Sequence, residues 1–169
     1  MNDPQRDTEP IPPMRATDLE NVDAVRGPTA SQAAGMTLAA ARRVVAAVET
    51  EARAMRVALS VAVVDSGDQL VAFARMDGAD LVTVNLAIDK AFSALVNRMP
   101  TADLAPLVQP GAEFYGYDSL AGGRMVVFAG GLPLERRGVL VGAVGVSGGD
   151  STQDARAVEA GARAFDTGG

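Results

Sequence analysis

Two short runs of β-branched, apolar residues constrain this chain more than any other feature. Val57 to Val64 is V-A-L-S-V-A-V-V, and Val139 to Val146 is V-L-V-G-A-V-G-V. Side chains alternate across a strand, so a strand that is apolar at every position must be covered on both faces. Such strands call for helices above and below one sheet. At 169 residues, 48 % of them apolar, the chain has the size and composition of one domain with one core. Aromatic residues make up only 4 %, so that core is built from Ala, Val and Leu, and its elements must approach closely.

Periodicity supplies the rest of the frame. Leu38, Ala41, Val45, Val48, Ala52 and Met55 recur at helical spacing behind a Thr29/Gln32 capping box, with Glu49 and Arg53 four apart on the solvated side. Asp65-Ser66-Gly67-Asp68 is a turn, and Gln69 to Arg75 returns as a second strand, making a hairpin with the first. Val84, Ala87, Ile88, Ala91, Ala94 and Leu95 mark a second helix. Pro100, Pro106 and Pro110 allow only short helical pieces after it. Residues 111 to 149 hold eleven of the eighteen glycines around the runs Met125 to Phe128 and Val139 to Val146, read as two further strands with open loops. Ser151, with Asp154 three residues on, caps a last helix whose buried edge is Ala155, Val158, Ala162 and Phe165. Residues 1 to 28, holding five of the nine prolines, form a flexible arm, and 29 to 169 form the domain.

Composition excludes whole classes of chemistry. The chain has no cysteine and no histidine. Thiolate nucleophiles, zinc ribbons, disulfides and imidazole general bases are therefore absent. A net charge of −6 provides no basic field for nucleic acid. No apolar stretch reaches membrane-spanning length, and Met1 to Arg15 lack the core of a signal peptide, so the expected location is the cytoplasm. No carboxylate cluster has calcium-loop spacing, and no built-in metal is expected.

The remaining reactive groups are Lys90, Arg75, Tyr115, Tyr117, Asp65, Asp77 and Asp89. Lys90 shares a helix face with Leu86, Ser93 and Asn97, off the apolar stripe; it is either a perturbed amine able to act as base or imine former, a solvated lysine, or the neutraliser of a carboxylate. Arg75 offers a planar fork for a carboxylate, and Tyr115 a phenolic proton. Gly145 to Ser151 runs from a strand into a helix start, where amides hold either an anion or only a turn, with Ser147 inside it. Asp65, like Asp68, is either a ligand contact or an acidic turn residue bonding its own backbone. The connection containing Tyr115, Gly122, Gly123, Phe128, Gly130 and Gly131 is the best candidate wall for a ligand, because glycine lets backbone approach closely and the two rings offer apolar cover.

Seven segments recur in a characteristic order: Val63-Val64-Asp65-Ser66-Gly67, Arg75-Met76-Asp77-Gly78-Ala79, Lys90-Ala91, Arg98-Met99-Pro100-Thr101, Pro110-Gly111 with Tyr115-Gly116, Phe128-Ala129-Gly130-Gly131-Leu132-Pro133, and Gly142 to Gly149. In this the chain resembles the GlcG/HbpS family, which includes haem-binding HbpS-like proteins and the C-terminal domain of PduO-type adenosyltransferases. The resemblance covers residues from about 30 to 166. It implies an α/β fold of the α+β kind: a profilin-like, five-stranded, mainly antiparallel sheet with helices on both faces, assembled as a homo-oligomer. It also implies a small-molecule ligand, haem or a corrinoid among them. The chain departs from the family pattern at Asp68 and Ala129, and any haem here would need Tyr, Met or Lys as its axial ligand, because no histidine exists. Two readings of function follow. One is a binding protein that holds a flat ligand by Tyr115 and Phe128. The other is a cofactor-free catabolic isomerase, lyase or hydrolase, with Lys90 as base, Tyr115 as acid and Arg75 as carboxylate clamp.

Overall fold

A computed structural model describes residues 35–166. The proline-rich segment and the Thr29/Gln32 box lie outside the described residues. The elements are α1 (Leu38–Met55), β1 (Ser60–Asp65), β2 (Leu70–Arg75), α2 (Val82–Asn97), β3 (Gly131–Arg136), β4 (Val139–Ser147) and α3 (Ser151–Asp166). Short helical turns fill part of the stretch between α2 and β3.

The sheet has four strands in the order β2-β1-β4-β3, all neighbours antiparallel. That is the number the apolar runs count and one fewer than the five the family resemblance implies, but the third strand is displaced: Met125 to Phe128, expected as a strand, belongs to no strand, and the third strand is Gly131–Arg136. Met125 to Phe128 is apolar for a different reason: it lies across α2, where the Val126 amide donates to the Ser93 hydroxyl at 2.8 Å. The β1–β2 hairpin closes through Asp65, whose Oδ1 accepts the amides of Gly67 and Gln69 at 2.9 Å each. Asp65 therefore does the work of a turn residue.

Both faces of the two central strands are covered, as their apolar runs require. Val61, Val63, Val144 and Val146 point to one side and pack with Val44, Val48, Val158 and Phe165 of α1 and α3. Val64 and Ala143 point to the other and pack with Ala91, Ala94 and Leu95 of α2. Helix α1 starts at Thr37, whose Oγ1 accepts the Ala40 amide at 3.1 Å. Its buried stripe is Ala40, Ala41, Val44, Val48 and Ala52, slightly rotated from the expected one, so that Leu38 faces solvent. None of the described helices is long and apolar enough to cross a membrane.

The scarcity of aromatics has a local counterpart where α2 lies on β4. Ala87, Ala91 and Ala94 are fully buried there, and a Cβ placed on Gly145 would overlap the backbone of Ala87 and Ala91. Helix and strand touch through backbone, with no side chain able to move aside. Gly145→Ala should therefore lower unfolding free energy by about 1–3 kcal/mol in urea titrations, an overpacking cost. Gly67→Ala, in the exposed turn, should stay within about 0.5 kcal/mol of the parent.

Candidate functional site

Lys90 is the largest fully buried side chain among the described residues, with 1 % of its surface exposed. It sits on the α2 face that meets the sheet, one turn beyond Ala87 and Leu86. Its Nζ donates to the Val146 carbonyl at 2.9 Å and to Asp154 Oδ2 at 2.6 Å, and lies 4.9 Å from the centre of the Phe128 ring. An ammonium has three N–H bonds. A carbonyl and a carboxylate accept from two of them, and the Phe128 ring lies beside the charge.

The backbone is shaped around this cation. A Cβ on Gly130, where φ is +119°, would come within 2.7 Å of Nζ, so only glycine lets the 128–131 segment pass. The next amide, Gly131 N, donates to Thr101 Oγ1 at 2.9 Å. Burial draws the Lys90 ammonium below its ordinary value, while the hydrogen bond and charge of Asp154 resist. The same burial pushes the Asp154 carboxyl up, opposed by Lys90 and by the Gly149 amide. The two groups titrate as one unit.

Asp154 was expected as a helix-capping residue, and that assignment is off by one position. Asp150 caps α3: its Oδ1 accepts the amides of Thr152 and Gln153 at 2.9 Å, and Gln153 Oε1 accepts the Asp150 amide at 3.0 Å. Asp154 is left on the buried stripe with Ala157, Val158, Gly161 and Phe165. A carboxylate in register with an apolar stripe signals a buried partner. That signal was available in the sequence.

Above the pair opens a cavity of about 440 Å³, bounded by Asp80, Val82, Thr83, Phe128, Ser147 and Asp150, with Lys90 and Asp154 in its wall. The structure thus brings together five of the expected site residues: Lys90, Phe128, Gly130, Gly131 and Ser147. The others lie elsewhere. Arg75 and Asp77 border a separate depression with Glu49 and Arg53, on the α1 side at the open end of the hairpin. Tyr115 is 69 % exposed and lines neither this cavity nor the one described next. Gly122 and Gly123 are exposed, in a left-handed turn (φ +70° and +83°) beside Arg124. Arg124 moors that loop by donating to Asp89 Oδ1 and Asp68 Oδ2, both at 3.0 Å, with its guanidinium 3.9 Å from the Phe92 ring centre. Burial opposes the Arg124 charge, but the two carboxylates outweigh it and hold the group above its ordinary value.

A second cavity, about 230 Å³, is apolar. It lies between the end of α2 and the loop that follows, walled by Met99, Leu104, Leu107, Val108, Phe114 and Tyr117. Tyr117 Oη donates to Asn97 Oδ1 at 2.6 Å, and the Phe114 and Tyr117 rings meet edge to face with centres 6.1 Å apart. Sequence reasoning chose Tyr115 instead of Tyr117, although only Tyr117 is turned inward. Three-residue turns decide which ring faces the cavity, and no periodic pattern announces that choice.

Residues 36–163 match the model of the family described as haem-degrading protein HbpS-like. The chain belongs to the HbpS-like family. Among curated HbpS-like relatives, an uncharacterized 15.0 kDa protein from the dhaT-dhaS intergenic region of Citrobacter freundii is 41 % identical over 123 residues, which is 73 % of this chain and 87 % of that protein. The corrinoid adenosyltransferase PduO of Salmonella typhimurium is 43 % identical over 110 residues, 64 % of this chain but only 32 % of that protein. Among solved structures, a PduOC:heme complex superposes with a TM-score of 0.75 at 33 % identity, covering 77 % of this chain and 94 % of its own.

The Lys90–Asp154 bond makes a stability prediction. Lys90→Met leaves Asp154 buried without its partner and should cost about 3–5 kcal/mol near neutral pH, whereas Lys90→Met with Asp154→Leu should recover most of the loss. Burial raises the folded-state pKa of Asp154, so the folded chain takes up that proton before the unfolded chain does. Stability of the single variant therefore rises as pH falls into the carboxylate range. Urea titrations of parent, single and double variants at about pH 7.5 and pH 4 check the sign.

Proposed function

We propose that this HbpS-like chain is a small-ligand-binding protein whose ligand is a flat apolar macrocycle, haem in the first instance, held at the apolar cavity beside Phe114 and Tyr117. The observation that carries the proposal is the composition of that cavity wall. Met99 supplies a thioether and Tyr117 a phenol, both able to ligate haem iron in a chain without histidine. No carboxylate borders it, so the anionic edge of the macrocycle meets no repulsion. Leu107 and Phe114 are 37 % and 46 % exposed, which extends the apolar surface beyond a cavity too small to enclose a macrocycle.

The residues present fit the group in this way: Leu104, Leu107, Val108 and Phe114 would cover a ring face, and Met99 or Tyr117 would offer the axial donor. Bound haem supplies a redox-active, Lewis-acidic iron. The protein's part is to exclude water from one face and to select the axial donor. Tyr117 is already oriented by Asn97, whose Oδ1 accepts the phenolic hydrogen bond at 2.6 Å and holds the ring at the cavity wall. The family and the haem-bearing PduOC neighbour support this reading; the PduO relative, matched over a third of its length, supports a corrinoid less.

The alternative of a cofactor-free enzyme using Lys90, Tyr115 and Arg75 is not favoured by the geometry. Imine formation needs a free amine, and the buried Lys90 Nζ is held by the Val146 carbonyl and the Asp154 carboxylate. Arg75 and Tyr115 do not border the Lys90 cavity.

Hemin titration tests the proposal. The parent should give a saturable Soret shift in the micromolar range, and Leu107→Glu should weaken it by about tenfold, the effect of one charge against an apolar ring face. Met99→Leu combined with Tyr117→Phe should move the Soret and charge-transfer bands. A parent without saturable binding sinks the haem reading. Unchanged binding in Leu107→Glu removes this cavity from it.

A further inference from the structure

The larger cavity is not a second haem site, because its wall carries Asp80, Asp150 and Asp154 against a single ammonium. It is not an anion site either. The amide of Gly149 donates to Asp154, that of Asp150 to Gln153, and those of Thr152 and Gln153 to Asp150, so these amides at the α3 start are occupied. The Lys90 charge is matched by Asp154.

Three features in this cavity are left without a structural partner. Ser147 is 5 % exposed, borders the cavity, and makes no side-chain hydrogen bond among the described residues, although its neighbours Ser60 and Thr83 bond one another at 2.8 Å. Its hydroxyl faces the open space as an unused polar group. The Asp80 carboxylate likewise has no hydrogen bond among the described residues, and Asp150 uses only Oδ1, leaving Oδ2 free. Phe128 is 45 % exposed and Val82 64 %, so an aromatic ring and an aliphatic side chain flank these oxygens.

We propose that this cavity is a binding site for a small organic cation, a protonated amine carrying a hydrocarbon or aromatic group. The ammonium lies between the carboxylates of Asp80 and Asp150 and donates to Ser147 Oγ. The hydrocarbon part rests against Phe128 and Val82. Opposite charge, a buried acceptor and an aromatic ring all favour this ligand class over a carboxylate of the same size. The site is separate from the haem cavity and does not rest on that reading.

Benzylammonium is the probe, with benzyl alcohol and benzoate as neutral and anionic counterparts of nearly the same shape, titrated into the full-length chain and followed by amide chemical shifts. Benzylammonium should shift the amides of Phe128, Ser147 and Gly148 saturably, bind about fivefold or more tightly than benzyl alcohol, and benzoate should not shift them. Asp80→Asn with Asp150→Asn keeps the α3 cap, since asparagine caps as well as aspartate, and should weaken binding about fivefold. Leu107→Glu should leave it unchanged. Absence of a saturable shift, equal binding of benzyl alcohol or benzoate, or full retention in the double variant overturns the proposal.

Discussion

The buried pair of Lys90 and Asp154 ties the molecule together. An ammonium removed from water is stable only when every N–H has a partner and a carboxylate balances its charge. Those partners come from different layers. Lys90 belongs to α2 on one face of the sheet, Asp154 to α3, which packs on the other, and the accepting carbonyl to Val146 near the end of β4. One bond of 2.6 Å thus joins both helical layers at one end of the sheet and fixes the path of the Phe128–Gly131 segment that passes over it. The glycine at 130 follows from this bond: a Cβ there would press on both the Val146 carbonyl oxygen and Nζ.

The fold was legible wherever one period ran long enough to be unambiguous. The doubly apolar β1 and β4 runs demanded cover on both faces, and they have it. Helices α1, α2 and α3 follow from three- and four-residue spacing. The third strand was misplaced because Met125 to Phe128 is apolar without being a strand: it lies along α2 through Ser93, and burial by a helix leaves the same trace as burial in a sheet. Resemblance to a family carried membership correctly, but the five strands it implied are one more than the sheet has.

The site was legible only in part, for a related reason. Lys90, Phe128, Gly130, Gly131 and Ser147 converge because close packing leaves few places for a large cation, a ring and a turn of glycine. Arg75, Asp77 and Tyr115 were chosen by residue type, and type does not report orientation. Tyr115 and Tyr117 differ by two residues, yet one is exposed and the other bonds Asn97. Asp154 was hidden by its nearness to a helix start, where a carboxylate has an ordinary explanation in capping.

A chain without histidine or cysteine must allocate its few strong polar groups, and here structure takes most of them. Lys90 and Asp154 hold each other, Asp65 closes a hairpin, Asp150 caps a helix, and Arg124 moors a loop through Asp68 and Asp89. The groups left facing cavities are a serine hydroxyl, free carboxylate oxygens and a phenol already paired with an amide. Among the described residues Ser147 has no base hydrogen-bonded to its hydroxyl, and Tyr117 donates to a neutral amide oxygen, so neither is arranged as an activated nucleophile. They are, however, sufficient to orient a ligand against apolar walls. Recognition, with any demanding chemistry supplied by the ligand itself, is the function that this distribution of polar groups supports.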